Sequence, residues 1–99
     1  MAMNPRILEW RDRRVWLVGA SEGIGAALAR ELDRRGARLA LSARSMDRLQ
    51  RLALEGALLL PCDATDAVSL AQARESLLAA WNGVDLVIYP APASRLWRA

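Results

Sequence analysis

The sequence predicts an α/β domain: a doubly wound parallel sheet, β-α-β-α-β-α-β, with strand order 3-2-1-4 and helices on both faces. Three observations predict it. Short apolar runs alternate strictly with longer stretches of helical periodicity. Those apolar runs are nearly continuous, as strands covered on both faces require. Right-handed crossovers leave few arrangements for such a chain, and 3-2-1-4 leads them.

Each element has its own reason. Arg14-Val15-Trp16-Leu17-Val18 is an apolar run ending at Gly19, a buried strand. From Gly23 to Arg35 the period turns helical, with Ile24, Leu28 and Leu32 expected on one face and Gly36 as the cap. Arg38 to Ala43 is the second strand. Ser45 caps a second helix that carries Leu49 and Leu52 and stops at Gly56. Ala57 to Pro61 is the third strand, with the proline ending its ladder. Asp66 caps a third helix with the stripe Ala67, Leu70, Ala71, Leu77, Leu78 and Trp81, closed by Asn82-Gly83. Asp85 to Tyr89 is the fourth strand, after which the sheet is expected to be truncated.

Composition narrows the chemistry. Ninety-nine residues make one domain, and 54% hydrophobic with 25% charged residues is globular. Cys62 is the single cysteine, so an intrachain disulfide and a cysteine metal cluster are excluded. There is no His, and all 14 basic residues are Arg. That removes the usual general base and all Schiff-base chemistry. The net charge of +3 is dispersed; Arg11-Asp12-Arg13-Arg14 is its densest group, and no nucleic-acid recognition motif accompanies it. Leu58-Leu59-Leu60 is too short to span a bilayer. The opening Met1-Ala2-Met3-Asn4-Pro5 carries no basic-then-apolar signal, so the expectation is a cytoplasmic protein with no nucleic-acid or membrane partner.

The turn Gly19-Ala20-Ser21-Glu22-Gly23-Ile24-Gly25 carries the chemistry. It follows a strand and opens a helix. A helix N-terminus presents unpaired N–H groups and a positive dipole end to a phosphate. Glycine clears side chains from the approach, Gly25 lets the helix pack closely on the strand, and Ser21 adds a hydroxyl donor. An ordinary glycine-rich strand–helix turn would show the same residues; its place between strand and helix favours nucleotide binding.

The spacing Gly-x-x-x-Gly-x-Gly resembles that of the short-chain dehydrogenase/reductase family, whose cofactor domain is Rossmann-like. The resemblance rests on Val18 to Gly25, on Ala43-Arg44, on Cys62-Asp63-Ala64-Thr65 and on Val84-Asp85-Leu86-Val87-Ile88. It divides the chain into a lead (1–12), the N-terminal part of an NAD(P)-binding domain (13–89) and an irregular tail (90–99). It implies that Gly19, Ser21, Gly23, Ile24 and Gly25 meet the dinucleotide. It implies that Asp63 accepts from the adenine amino group, with Ala64 against the ring. An acid beside the next helix start would also suit Asp63 on dipole grounds alone. Arg44 falls where the family places the adenosine ribose. No acid lies between Ala37 and Met46, so NADP(H) is favoured over NAD(H). A solvated Arg opening a helix is the plainer reading of the same residue.

The pattern then departs from the family. Where Asn-Asn-Ala-Gly is expected, the chain reads Tyr89-Pro90-Ala91-Pro92. The family moves its proton with a Ser, and a Tyr with a Lys four residues on; here the one Tyr is Tyr89 and there is no Lys. The expectation is an NADP(H)-binding N-terminal fragment of an oxidoreductase, with no catalytic residue of its own and no metal site. The alternative is a non-catalytic nucleotide-binding or interaction module. The tail is expected to be coding sequence read out of frame: were Pro-Ala-Pro-Ala spelled in GC-rich codons, a neighbouring frame would read Gly-Ala-Gly. An uncovered edge at Leu86-Val87-Ile88 implies marginal stability and self-association.

Overall fold

Strands and helices alternate along the chain as β1 (Arg14–Val18), α1 (Gly23–Arg34), β2 (Arg38–Ser42), α2 (Met46–Arg51), β3 (Leu58–Leu59), α3 (Ala67–Trp81) and β4 (Leu86–Ile88). The computed structural model describes residues 9–20 and 23–89. The strands form one parallel sheet in the order β3-β2-β1-β4, as the alternation of elements required. In register, Val15 lies beside Leu39 and Leu86, and Leu41 beside Leu59.

Side chains alternate across the sheet and split the core in two. Val15, Leu17, Leu39 and Leu41 pack with Ala26, Ala29 and Leu32 of α1 and Leu49 of α2. Trp16, Val18 and Ala40 pack with Ala73 and Leu77 of α3. Ser42, at the end of β2, is fully buried, and its Oγ accepts from Trp16 Nε1 at 2.8 Å. No described helix is long and apolar enough to cross a membrane.

The helix faces differ from those expected. Ile24 is 75% exposed and stands off the core, while Gly25, Ala26, Ala29 and Leu32 are buried. Four residues overshoot one turn by about 40°, so the series Ile24, Leu28, Leu32 rotates around the helix instead of following the sheet. Small residues face the strands, and α1 lies close to them. On α3 the buried line is Ala73 and Leu77, flanked by the half-buried Leu70 and Trp81; Ala67, Ala71 and Leu78 are exposed.

The ends also differ. Ser45 and Asp66 cap α2 and α3 as expected, accepting from Arg48 N–H and Val68 N–H. Helix α2 ends at Arg51, and the chain turns at Ala53, φ 54°, well before Gly56. Asn82 closes α3 as expected, at φ 62° with its N–H donating to Leu78 O. Strand β3 is shorter than expected, and Pro61 does not end the pairing. Leu60 N–H donates to Leu41 O at 2.9 Å and Cys62 N–H to Ala43 O at 3.0 Å. Pro61 falls between them on the outer side, where no N–H is needed.

Candidate functional site

The carboxyl ends of β1, β2 and β3 open onto one cleft, of about 420 Å³. Its first wall is the turn out of β1. Gly19 N–H and Ala20 N–H both donate to Ser42 O, at 2.7 and 3.0 Å. That double contact swings the chain off the sheet toward α1, with Gly19 at φ 87°. A Cβ on Gly19 or on Gly23 would meet no atom within 4 Å, so the space over both is open. Gly25 is the opposite case. Its Cβ would run into Gly19 O and stand 3.1 Å from Ala20 Cα. Glycine there sets how closely α1 can start beside β1.

The second wall comes from the end of β2 and the start of α2. Ala43, Arg44, Ser45 and Arg48 line it. Arg44 is exposed, and its positive charge reaches Asp63. Ser45 Oγ accepts from Arg48 N–H at 3.2 Å, which fixes the first turn of α2.

The third wall follows β3, with Cys62, Asp63, Ala64 and Thr65. Asp63 N–H donates to Ser69 Oγ at 2.9 Å, which ties this loop to α3. Asp63 Oδ1 accepts from Thr65 Oγ1 at 2.6 Å and from Thr65 N–H at 3.0 Å. These bonds, with a smaller contribution from the Arg44 charge, hold the Asp63 carboxyl below the usual carboxylate range. Asp63 is therefore an anion at neutral pH, able to accept one more donor from the cleft. Cys62 is buried at the loop's start.

Gly19, Arg44, Asp63 and Ala64, predicted from different segments, thus meet in one cleft. Gly23 and Ile24 stand exposed on the first turn of α1, and Gly25 is buried beneath it. Ser21 lies outside the described residues. Sequence reasoning missed Ser45, Arg48 and Thr65 as lining residues. Arg48 had a signal, since it comes three residues after the Ser45 cap and so shares the first turn of α2. Thr65 had one too: an Asp followed two residues later by Thr is an Asx-turn pattern.

Comparison with known proteins places the fold in a family. A sequence profile of the short chain dehydrogenases matches residues 13–96. Human dehydrogenase/reductase SDR family member 7 is 35% identical over 99 aligned residues, covering 81% of this chain and 29% of that protein. Among solved structures, L-sorbose reductase from Gluconobacter frateurii, complexed with NADPH and L-sorbose, superposes with a TM-score of 0.76 at 26% identity, covering 85% of this chain and 35% of that one. An NADH-dependent reductase, A1-R', complexed with NAD, superposes with a TM-score of 0.69 at 25% identity, covering 81% and 36%. The chain spans about a third of the length of the proteins it matches. The profile match, the relatives and the sheet order agree, and the chain belongs to the short-chain dehydrogenase family.

Proposed function

We propose that this chain binds a nicotinamide dinucleotide, NADP(H) in preference to NAD(H), and is the cofactor-binding part of a short-chain oxidoreductase. Arg44 at the mouth of the cleft carries the reading. Its relatives include proteins that bind NADPH and proteins that bind NAD, so the residues at the end of β2 must decide. No acid stands between Ala37 and Met46 to accept from a ribose 2′-hydroxyl. A guanidinium suits a 2′-phosphate, and Arg48 adds a second cation to the same wall.

The remaining residues fit the same ligand. The open space over Gly19 and Gly23 admits a pyrophosphate to the start of α1, where N–H groups and the helix dipole favour it. Gly25 sets the close start of α1, and Ile24 offers an exposed apolar side chain on its first turn. Asp63 accepts from the adenine amino group, and Ala64 lies against the ring. When bound, the nicotinamide supplies or accepts a hydride. This chain does not supply the accompanying proton. It has no Lys, and burial pushes the hydroxyl of Tyr89, its one tyrosine, above the ordinary value, away from what a proton donor needs.

Titrating the chain with NADPH and with NADH, followed by calorimetry, tests the reading. NADPH is expected to bind more tightly. Arg44→Ala is expected to weaken NADPH by roughly tenfold or more, the value of a charge-assisted hydrogen bond, and to leave NADH nearly unchanged. Equal affinities in the parent chain, or an equal loss of both in the variant, would overturn the preference. Binding of neither would favour an interaction module.

A further inference from the structure

We propose that the cleft reads a phosphate on the adenosine ribose without distinguishing the 2′ from the 3′ position. Nucleotides that end in 3′-phosphoadenosine then bind it in competition with NADP(H). The inference rests on the cofactor reading above and widens its ligand class. On that reading the ribose faces the wall formed by Ala43, Arg44, Ser45 and Arg48.

The 2′ and 3′ oxygens sit on neighbouring carbons of one ring. A site separates them only if something closes off one of the two. A carboxylate can do so, by accepting from a free hydroxyl and repelling a phosphate there. A bulky side chain in the path can do so too. This wall has neither. The residues flanking Arg44 are Ala43 and Ser45, both small, and no acid stands between Ala37 and Met46. Among the described residues, Asp63 is the one carboxylate lining the cleft. Its Oδ1 is engaged by the hydroxyl and the N–H of Thr65, on the β3 side.

The donors on the wall are spread, not focused. Arg44 is exposed, and a guanidinium carries five N–H donors in a planar fork on a long stem. Either ribose oxygen is within the swing of such a side chain. Arg48, on the first turn of α2, brings a second cation to the same wall. Ser45 Oγ accepts from Arg48 N–H at 3.2 Å, and its own hydrogen can donate to an anion in the cleft. Positive charge laid along a wall favours a phosphate at either position. The base requirement is unchanged, because the Asp63 anion only accepts and needs the adenine amino group in both classes. At about 420 Å³ the cleft falls in the range of roughly 300–1,000 Å³ usual for ligand sites, without a nicotinamide to fill it.

Three isomers of one composition make the test: adenosine 2′,5′-bisphosphate, adenosine 3′,5′-bisphosphate and adenosine 5′-diphosphate. Each is titrated by calorimetry into the 99-residue chain, alone and in competition with NADPH. The two bisphosphates are expected to bind within about tenfold of each other and to displace NADPH. Arg44→Ala is expected to weaken both by roughly tenfold and the 5′-diphosphate by less than about twofold. Arg51→Gln removes a charge from α2 outside the cleft and is expected to change none of them. Far-UV circular dichroism checks the fold of both variants, and the displacement of NADPH from the parent chain needs no variant. A 3′,5′-bisphosphate more than about tenfold weaker than the 2′,5′ isomer, or one indifferent to Arg44→Ala, overturns the inference and leaves the NADP(H) preference standing. A 2′,5′-bisphosphate indifferent to Arg44→Ala overturns that preference and the inference with it. Equal losses in Arg51→Gln would mean that net charge, and not this wall, holds the phosphate, which overturns both.

Discussion

Arg14 and Asp85, 71 residues apart, clamp the start of β1 to the start of β4 in both directions. Arg14 N–H and Nε donate to Asp85 Oδ2 at 2.8 and 3.2 Å, and Nη2 donates to Oδ1 at 3.2 Å. Asp85 N–H returns a bond to Arg14 O at 2.8 Å. Both side chains are about one-third exposed, where an isolated ion pair contributes little. The value of this pair is positional: it anchors a strand of only three residues.

The clamp has a pH signature. The Arg14 hydrogen bonds hold the Asp85 carboxyl down at about 2, against an ordinary 3.8. A folded-state value below the unfolded one stabilises the fold fully above pH 3.8. That contribution is lost as pH falls from 3.8 toward 2. Asp85→Asn is expected to melt at a lower temperature than the parent at pH 7, with the gap closing below pH 4. Thermal melts from pH 7 to pH 2 check this. A gap that stays constant across the window would show that the carboxylate charge is irrelevant.

Gly25→Ala tests the start of α1. The added methyl meets Gly19 O and Ala20 Cα, both backbone, so relief requires moving the turn itself. The expected loss is about 1–3 kcal/mol, the usual cost of overpacking. Gly23→Ala differs in kind. Its Cβ meets nothing, but φ of 63° strains an L-residue by roughly 1–2 kcal/mol. Urea denaturation of the two variants, with an NADPH titration beside it, separates packing from approach. Gly25→Ala is expected to cost more stability than Gly23→Ala.

The sheet order and most element starts were legible because each rests on local chemistry: a capping Ser45 or Asp66, a turn at Gly19, an apolar run in β1. Helix faces were less legible. Ile24 reads as core by spacing, yet the buried face of α1 is Gly25, Ala26, Ala29 and Leu32, and only the packing shows that. Pro61 reads as a terminator, but a strand has two hydrogen-bonding sides and sequence does not say which one a residue presents. In the site, Gly19, Arg44 and Asp63 were each found from motif positions on successive loops. Arg48 was not, because a second Arg on a short helix looks like any solvated residue until Ser45 fixes the turn that carries it.

Ser42→Ala tests the one buried polar side chain among the described residues. Ser42 is fully buried and Trp16 is 4% exposed, so the indole N–H has no water to replace the lost hydroxyl. Leaving it unpaired is expected to cost about 1–3 kcal/mol. The Ser42 carbonyl, which receives Gly19 N–H and Ala20 N–H, is untouched by the substitution. Urea denaturation should therefore show lower stability with cofactor affinity unchanged. A neutral result would mean that Trp16 finds another acceptor.

Thr65→Val tests the loop after β3. Thr65 Oγ1 and N–H both donate to Asp63 Oδ1, and the hydroxyl bond is the largest cause of the carboxyl's lowered pKa. Valine keeps the shape and the backbone N–H but removes the O–H. The Asp63 pKa is expected to rise toward 3.8 without reaching it, because the Thr65 N–H and Arg44 still favour the anion. Carboxyl carbon NMR titration reads this directly. At pH 7 Asp63 is ionised in either protein, so NADPH affinity should change little with Thr65→Val, whereas Asp63→Ala should weaken it by roughly tenfold, the value of one hydrogen bond to a charged group. If Thr65→Val weakens binding as much as Asp63→Ala, the loop's shape, rather than the Asp63 charge, is what the adenine end recognises.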